Sequence, residues 1–538
     1  MTTAMAAATE RQLEWSPGEV PGGEMPFAER RVTNHASATR SRWLAAALVV
    51  AASGAAFGIA LVHGEAPAPA TQEPVRDVEW TECHGPAALA AVAAGVTSLK
   101  CFDFDDAACA QLVRFTKLER LDLSGTDYAV PPRITDKGVR ELGALTNLRW
   151  LCVARCHEMK GAGLQALEAL PQLEHLDLTY SGVQSSAVER LQRLPSLRSL
   201  VLSHCPAFHG RSLAAVARIP GLRRLELRAC PTLTAADAMH IAKLKELRHL
   251  DLRDCQGRFR GQREFLRGPD GKAPPEAPVE DGIGITDHVV AAIAAIPLET
   301  LLLGGCESLT DAIANPIARM SALRSLDLSN LPNVTGALLA RVPDGLEALA
   351  LDNAQFDAEA LRRLPPLARV RELGLNIGGL DAATFEAVLA NKQLTSLRLA
   401  RAELINGGQP ALVWLSSADL AVLAKQKQLR SLDLDPQLVD EKATAIVAAL
   451  PQLTELDLSR TSLAAHVLAP LAACASLRSL KLTHAHLDLR ALLAIPGAQL
   501  RELDLSGTYV PTTRLREAAK AWNGCTITTS DGQRWRQP

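Results

Sequence analysis

The sequence predicts an α/β repeat solenoid, in which short parallel strands stack into one curved sheet and helices cover the sheet's other side. A fixed phrase, LxxLxLxxC, supports this prediction, because it occurs twice in close succession with unchanged spacing. The two copies are Leu222, Leu225, Leu227 and Cys230, then Leu247, Leu250, Leu252 and Cys255. One short apolar strand cannot bury its own core face, so regularly spaced copies must bury it against one another.

The leucine phrase recurs along most of the chain at a nearly constant period. Fifteen clear units begin at Leu118, Leu148, Leu173, Leu197, Leu222, Leu247, Leu298, Leu323, Leu346, Val370, Leu394, Leu429, Leu453, Leu477 and Leu500. The second half of a unit, as in residues 187–195, carries leucines at helical spacing before a proline and predicts a short helix. Degraded copies near 96–101 and 522–527 are typical of caps. We therefore predict a solenoid over residues 81–528.

Several units resemble a known repeat family. Residues 197–205, 222–255 and 298–306 are similar to the leucine-rich repeat consensus. The corner cysteine followed by Leu-Thr, as at Leu233 and Thr234, resembles the cysteine-containing, ribonuclease-inhibitor-like subtype, here in a membrane-anchored bacterial form. Other units depart from it with a small Thr, Ser or Ala at the corner. The resemblance covers residues 96–528 and implies a scaffold for binding, whose ligand differs from member to member.

The N-terminal region predicts a membrane anchor. Residues 1–42 are polar and predict a flexible tail, whereas residues 43–62 carry no charge and are long enough to form one transmembrane helix. Arginines precede this run and acidic residues follow it, so the positive-inside rule places the N-terminus in the cytoplasm and the repeats outside. The alternative is a signal peptide whose cleavage gives a secreted protein. Proline-rich residues 63–80 predict an extended spacer.

Within the apolar run, Gly54 and Gly58 form a GxxxG spacing that lets two helices approach closely. This spacing predicts a homodimer, although it also arises by chance in an Ala-rich and Gly-rich segment. At the other end of the chain, residues 529–538 are polar and predict a C-terminal tail.

The chain has 11 cysteines, and their positions predict buried free thiols rather than a disulfide framework. Five of them occupy the repeat corner, where a small apolar packing residue is expected: Cys156, Cys205, Cys230, Cys255 and Cys306. Cys83, Cys101 and Cys109 are the better disulfide candidates if the compartment is oxidising. Whether they pair stays open at this point.

Charge and motifs exclude several functional classes. The net charge of -2 gives no basic field, which argues against nucleic acid as a partner. The sequence contains no GxSxG, HExxH, Walker A or GxGxxG motif and no cysteine and histidine cluster with zinc spacing. We therefore predict no catalysis, no cofactor and no metal. A row of aspartates at the middle strand position raises a calcium hypothesis, but such aspartates more often bond neighbouring backbone: Asp122, Asp177, Asp251, Asp327, Asp433, Asp457 and Asp504.

The concave face of units two to six carries the candidate binding residues. They lie at strand positions that point away from the core, or beside them: Trp150, His175, Tyr180, His204, Arg224, Arg228, His249 and Arg253. Aromatic and arginine side chains dominate binding hot spots. The competing interpretation is that Glu226, Asp251 and Asp254 neutralise the arginines into a solvated mosaic.

Two insertions interrupt the repeat period. Residues 256–284 follow Cys255 and carry further candidates for ligand binding: Arg258, Phe259, Arg260 and Phe265. Residues 403–417, with Trp414, form a smaller insertion. Insertions between repeats map to loops at a coil edge and often bind the ligand.

These observations predict a membrane-anchored repeat module that binds a protein or another surface ligand outside the cytoplasm. Two alternatives remain: a sensor subunit of a signalling enzyme complex, and a structural envelope spacer with no specific ligand.

Overall fold

The computed structural model describes residues 80–124, 131–230, 233–255, 284–400 and 415–536, except for 355, 357, 365–366, 377, 379, 488, 496–498, 521, 523 and 530–533. Residues 67–538 belong to one compact unit, which contains all of the described residues. Within the described part, no helix is long and apolar enough to cross a membrane. The predicted span 43–62, with Gly54 and Gly58, lies outside the described residues.

Each described unit contributes one short strand to a 19-stranded sheet. The strands are β1 (Thr81–His84), β2 (Ser98–Phe102), β3 (Arg120–Asp122), β4 (Trp150–Cys152), β5 (His175–Asp177), β6 (Ser199–Val201), β7 (Arg224–Glu226), β8 (His249–Asp251), β9 (Thr300–Leu302), β10 (Ser325–Asp327), β11 (Ala348–Leu351), β12 (Glu372–Asn376), β13 (Ser396–Ala400), β14 (Ser431–Leu434), β15 (Glu455–Asp457), β16 (Ser462–Leu463), β17 (Ser479–Lys481), β18 (His486–Leu487), β19 (Glu502–Asp504), β20 (Thr526–Thr528) and β21 (Arg534–Arg536). Strands β16 and β18 form a separate pair.

The strands of the main sheet pair in chain order and in parallel, as the repeat phrase predicts. Central leucines face one another from unit to unit, for example Leu200, Leu225 and Leu250. The exception is β21, which returns antiparallel to β20, with Ile527 opposite Trp535. The predicted polar tail 529–538 therefore contains a strand. Because β21 closes a hairpin with the strand before it, the last parallel strand has a neighbour on both sides.

Short helices follow the strands, as predicted. The α-helices are Asp106–Leu112, Asp136–Glu141, Ser185–Val188, Leu213–Val216, Ala235–Ala238, Asp287–Ile293, Ala314–Ala318, Ala358–Leu361, Ala382–Val388, Glu441–Ala448, Ala465–Leu468, Leu489–Ala494 and Thr512–Ala519. The 3-10 helices are Pro86–Ala91, Leu142–Ala144, Ala162–Ala169, Glu189–Arg193, Gly210–Ser212, Met239–Lys243, Asp311–Ile313, Ala337–Arg341, Ser417–Lys425, Pro436–Leu438 and Ala469–Ala473. The predicted helix over 187–195 is thus an α-helical turn continued by a 3-10 turn.

The core lies between the strands and the helices. Leucines of both halves of a unit, such as Leu200 in β6 and Leu191 in the preceding 3-10 helix, belong to one continuous cluster of buried side chains. Burial of the strand leucines on one side leaves their neighbours to form the other side of the sheet. We call that other side the strand face; it consists of the residues before, between and after the inward leucines.

The corner cysteines do more than fill space, which corrects the prediction of a small apolar packing residue. The Sγ of Cys255 donates to the carbonyl oxygen of Leu227 at 3.0 Å, and the Sγ of Cys306 donates to that of Leu252 at 3.1 Å. Each thiol therefore serves a carbonyl of the preceding unit. Thr508 uses its hydroxyl in the same way, toward Leu482 at 2.5 Å. Each of these carbonyls also accepts the backbone amide three residues ahead, so the thiol or hydroxyl is its second donor. Threonine, which also donates through its side chain, can therefore replace cysteine here.

All 11 cysteines are buried and free, including Cys83, Cys101 and Cys109. Burial raises the pKa of Cys255 and Cys205 to about 12. These thiols are therefore protonated at neutral pH, and a protonated buried thiol is unreactive.

An aspartate near the start of the helix joins one unit to the next on the opposite side of the core. The Oδ1 of Asp136 accepts hydrogen bonds from the backbone nitrogens of Gly161 and Gly163 at 2.8 and 2.9 Å, and its Oδ2 accepts from that of Lys160 at 3.2 Å. Asp106 holds Thr135 and Gly138 of the next unit in the same manner. These bonds satisfy amide donors that the short helices leave unpaired.

Candidate functional site

The predicted binding residues of units two to six are neighbours on the strand face. The register of β4 to β9 aligns the residues before the central leucines in one row: Trp150, His175, Ser199, Arg224, His249 and Thr300. A second row contains the residues between the inward leucines, among them Asp177, Glu226 and Asp251. Adjacent strands lie about 4.8 Å apart, so side chains of one row contact their neighbours directly.

Aromatic rings cover the N-terminal end of the first row. The rings of Trp150 and His175 stack with centroids 5.0 Å apart and planes 3° from parallel. Trp80 meets Trp150 edge to face at 5.5 Å. The sequence analysis placed Trp80 at the end of the proline-rich spacer 63–80. Three strand pairings separate β1 from β4, and the ring contact shows that Trp80 reaches Trp150 across the strand face.

A second stacked pair lies where the chain turns after the strand. The rings of Tyr180 and His204 are 4.2 Å apart and 10° from parallel. Both residues have a left-handed backbone conformation, with φ of 55° and 56°. The N–H of His204 donates to the carbonyl of Arg228 in the next unit at 2.8 Å, which extends the sheet ladder and offsets the cost of the strained backbone.

Each predicted arginine of the strand face pairs with a carboxylate. Arg224 Nε lies 2.6 Å from Glu226 Oε1, and Arg228 Nε lies 3.0 Å from Asp254 Oδ2. The Nη2 and Nε of Arg253 contact Asp251 at 2.6 to 3.1 Å. Glu226, Asp251 and Asp254, which the competing interpretation expected to neutralise the arginines, are thus the residues that the arginines contact. The three arginines are each held by a carboxylate of the strand face, and Asp327 lies a further 4.0 Å from Arg253.

The histidines of the patch are neutral at physiological pH. Burial, followed by the positive charge of Arg224, lowers the pKa of His175 to about 3 and that of His249 to about 3. Burial and then Arg228 lower the pKa of His204 to about 4. A neutral imidazole offers one donor and one acceptor. These rings are therefore hydrogen-bonding and stacking groups rather than cations.

Two buried side chains on the strand face of β4 to β8 lack a hydrogen-bond partner among the described residues. They are His249, through both ring nitrogens, and Ser203, through its hydroxyl. His249 is 8% exposed and Ser203 is 5% exposed. The nearest carboxylate oxygen to His249 Nε2 is that of Glu226 at 3.8 Å, too far for a hydrogen bond. By contrast, His175 Nδ1 lies 2.8 Å from Ser199 Oγ. No sequence signal separates these two histidines.

The aspartates of the second row mainly accept hydrogen bonds from nearby backbone amides. Asp122, Asp177, Asp251, Asp327, Asp457 and Asp504 each accept a hydrogen bond from the amide two residues ahead, at 2.8 to 3.0 Å. This is the structural role that the sequence favoured over calcium binding. Among the described residues, no group of three or more His, Cys, Asp or Glu side chains could hold a metal ion.

A second polar cluster, which sequence reasoning missed, lies on the strand face of β11 to β15. Arg398 aligns with Asp433, and Asp433 with Asp457, while Arg398 Nε lies 3.6 Å from Asp352 Oδ1. Burial and then the like charge of Asp457 raise the pKa of Asp433 to about 7. Burial raises the pKa of Asp352 to about 6 despite Arg398. Arg398 therefore contacts Asp352 and lowers the pKa of both Asp352 and Asp433, but burial outweighs its effect.

No family model and no curated protein matches this chain. Three solved structures are similar to it. An internalin from Listeria monocytogenes shares 20% identity over 64% of this chain and 82% of its own, with a TM-score of 0.38. A leucine-rich repeat protein of Leptospira interrogans shares 14% over 81% and 90%, with a TM-score of 0.34.

The third similar structure is the complex of TLR13 with ssRNA13, at 17% identity, 82% coverage of this chain and a TM-score of 0.33. This chain covers 56% of that protein. Identities and scores at this level say nothing about the ligand of this protein. The repeat fold stands on the strand order and register described above.

Four predicted site residues, Arg258, Phe259, Arg260 and Phe265, lie outside the described residues, as do most of the insertion 256–284 and Trp414. Of the predicted residues that are described, the structure brings together Trp150 with His175, Tyr180 with His204, and Arg224 with His249.

Proposed function

We propose that this protein is a membrane-anchored repeat scaffold that binds a protein partner on the strand face of β4 to β8, without catalysis. The observation that carries the proposal is the continuity of the patch from Trp80 to Arg253. Tryptophan, tyrosine and arginine supply most of the energy at protein interfaces. Here they are already held by stacking and ion pairs, so little side-chain entropy remains to be lost on binding.

The anchor and the spacer belong to the same proposal. An apolar span at 43–62 would fix the scaffold at a membrane with the repeats outside the cytoplasm, and residues 63–79 would give it reach. Extraction of membranes with alkaline carbonate tests the anchor. The full chain is expected in the pellet, and a variant lacking residues 43–62 is expected in the supernatant. Recovery of the full chain in the supernatant would contradict the anchor.

A photo-crosslinker placed on the strand face tests the binding surface. Ser199 and Ser479 both lie in the sequence Leu-Arg-Ser-Leu, in the same row of β6 and β17. We expect p-benzoylphenylalanine at Ser199, between His175 and Arg224, to give a covalent adduct with another protein in intact cells. The same group at Ser479 is the matched control and is expected to give none.

Equal labelling from the two positions, or adducts from Ser479 alone, would contradict the proposed surface. An absence of adducts from both positions would favour a structural spacer without a specific ligand. Either result leaves the carbonate experiment unaffected, so anchoring and binding are tested separately.

A further inference from the structure

The two unpartnered side chains on the strand face of β4 to β8 lie on one diagonal of the sheet. Ser203 follows the last inward leucine of its unit next to β6, and His249 begins β8. Between them, on β7, lies Glu226 of the second row. The offset is two strands across and four residues along, which corresponds to roughly 16 Å, with Glu226 near the midpoint.

This spacing matches one edge of an extended polypeptide. Along an extended chain, peptide groups that point to the same side recur every second residue, roughly every 6.8 Å. Residues i and i+4 lie roughly 14 Å apart, and the N–H of residue i lies roughly 16 Å from the C=O of residue i+4, because the N-to-C length of one residue is added. The hydroxyl can therefore donate to the C=O of residue i+4 and the neutral imidazole can accept from the N–H of residue i, with the carboxylate near the N–H of residue i+2.

The charges around the diagonal point to an uncharged ligand. Arg224 pairs with Glu226, Arg228 with Asp254, and Arg253 with Asp251, so no guanidinium of the diagonal lacks a carboxylate. Asp327 also lies 4.0 Å from Arg253. An anionic ligand would have to compete with three carboxylates, and a cationic ligand with three guanidinium groups. Main-chain amides meet no such competition at Ser203 and His249, and they offer the acceptor and the donor that an unpaired hydroxyl and imidazole require. At Glu226 a main-chain N–H shares the carboxylate with Arg224.

We infer that the strand face of β6 to β8 binds an extended, uncharged peptide segment through its main chain, with Ser203, Glu226 and His249 as the contacts. The inference rests on the proposed binding function and specifies the chemistry of the partner. The side chains of such a segment alternate between the sheet and solvent, so selectivity comes from the stacked rings and arginines around the diagonal.

The test is a selection from a random 12-residue peptide library on phage against the full-length protein in detergent. We expect enriched peptides without net charge, whose affinity changes less than about threefold between 50 and 500 mM NaCl. Each of Ser203→Val and His249→Phe should weaken binding about tenfold, because each leaves a peptide group unpaired. Should His249→Phe fail to fold, His249→Leu replaces it.

Ser459→Val is the matched control. Ser459 occupies the position of Ser203 in a later unit, but its hydroxyl accepts a hydrogen bond from the amide of Thr483 at 3.1 Å. Its variant should bind the selected peptides as the wild type does.

Enrichment of charged peptides that dissociate in 500 mM NaCl would overturn the inference and leave the binding function standing. Enrichment of no peptide would also overturn it, and the adducts expected from Ser199 would still report the binding function independently. If Ser203→Val and Ser459→Val changed the peptide affinity equally, the proposed contact with Ser203 would likewise be refuted.

Discussion

The carboxyl of Asp433 gives a stability prediction whose sign depends on pH. Burial and the neighbouring Asp457 raise its pKa from the ordinary 3.8 to about 7. Between those values the folded protein holds a proton that the unfolded chain has released, so the free energy of unfolding falls as pH rises. Each pH unit is worth about 1.36 kcal/mol. The loss across the window is roughly 4 kcal/mol at most, and about 2 once solvent screening is included.

Asp433→Asn removes the ionisation and should therefore stabilise the protein at high pH only. We expect the variant to unfold a few degrees above the wild type at pH 8 and at the same temperature at pH 4, as followed by circular dichroism. Asp504→Asn is the matched control in β19, where the carboxylate accepts bonds from Ser506 at 2.5 and 2.9 Å. That variant should not be stabilised at either pH. A destabilised Asp433→Asn at pH 8, or a difference that is independent of pH, would refute the reasoning.

Three further predictions concern the joints between units, the neutral histidines and the thiols. Asp136→Ala leaves backbone amides of Gly161 and Gly163 without an acceptor and should cost about 2 to 3 kcal/mol in urea unfolding, whereas Asp136→Asn, which keeps Oδ1, should cost less. The pKa of His175 and of His249 is lowered from 6.5 to about 3, so the free energy of unfolding should decrease as pH falls below 6.5, by about 1.36 kcal/mol per pH unit for each ring. His249→Gln should reduce that slope, and an unchanged slope would contradict the neutral state of the histidine. The 11 buried thiols should not react with a thiol-specific disulfide reagent until the protein unfolds, and rapid labelling of the folded protein would contradict their burial.

The strand ladder could be predicted from the sequence because its cause is local. Each inward leucine fixes the side of the sheet to which its neighbours point, so the rows containing Trp150, Arg224 and His249 follow from counting residues. The antiparallel return of β21 could not be predicted, because Arg534–Arg536 has no repeat phrase. The role of the corner cysteines was only half predicted, since packing was foreseen and the hydrogen bond to the preceding unit was not.

The site was predictable in composition and unpredictable in pairing. The sequence places arginines and acids near one another but does not fix rotamers, so it does not determine that Arg228 pairs with Asp254 rather than Glu226. The contact of Trp80 with Trp150 depends on the path of the chain before the first strand. The lack of a hydrogen-bond partner at His249 depends on the side-chain conformations of its neighbours, which the repeat pattern does not determine.

Hydrogen exchange of the protein bound to its crosslinked partner tests the central claim most directly. The proposal predicts slowed exchange in β4 to β8 and in the turns after them, including Tyr180 and His204, with little change in β13 to β17. Protection confined to the helices, or to the strand face around Arg398, would contradict the proposed binding surface.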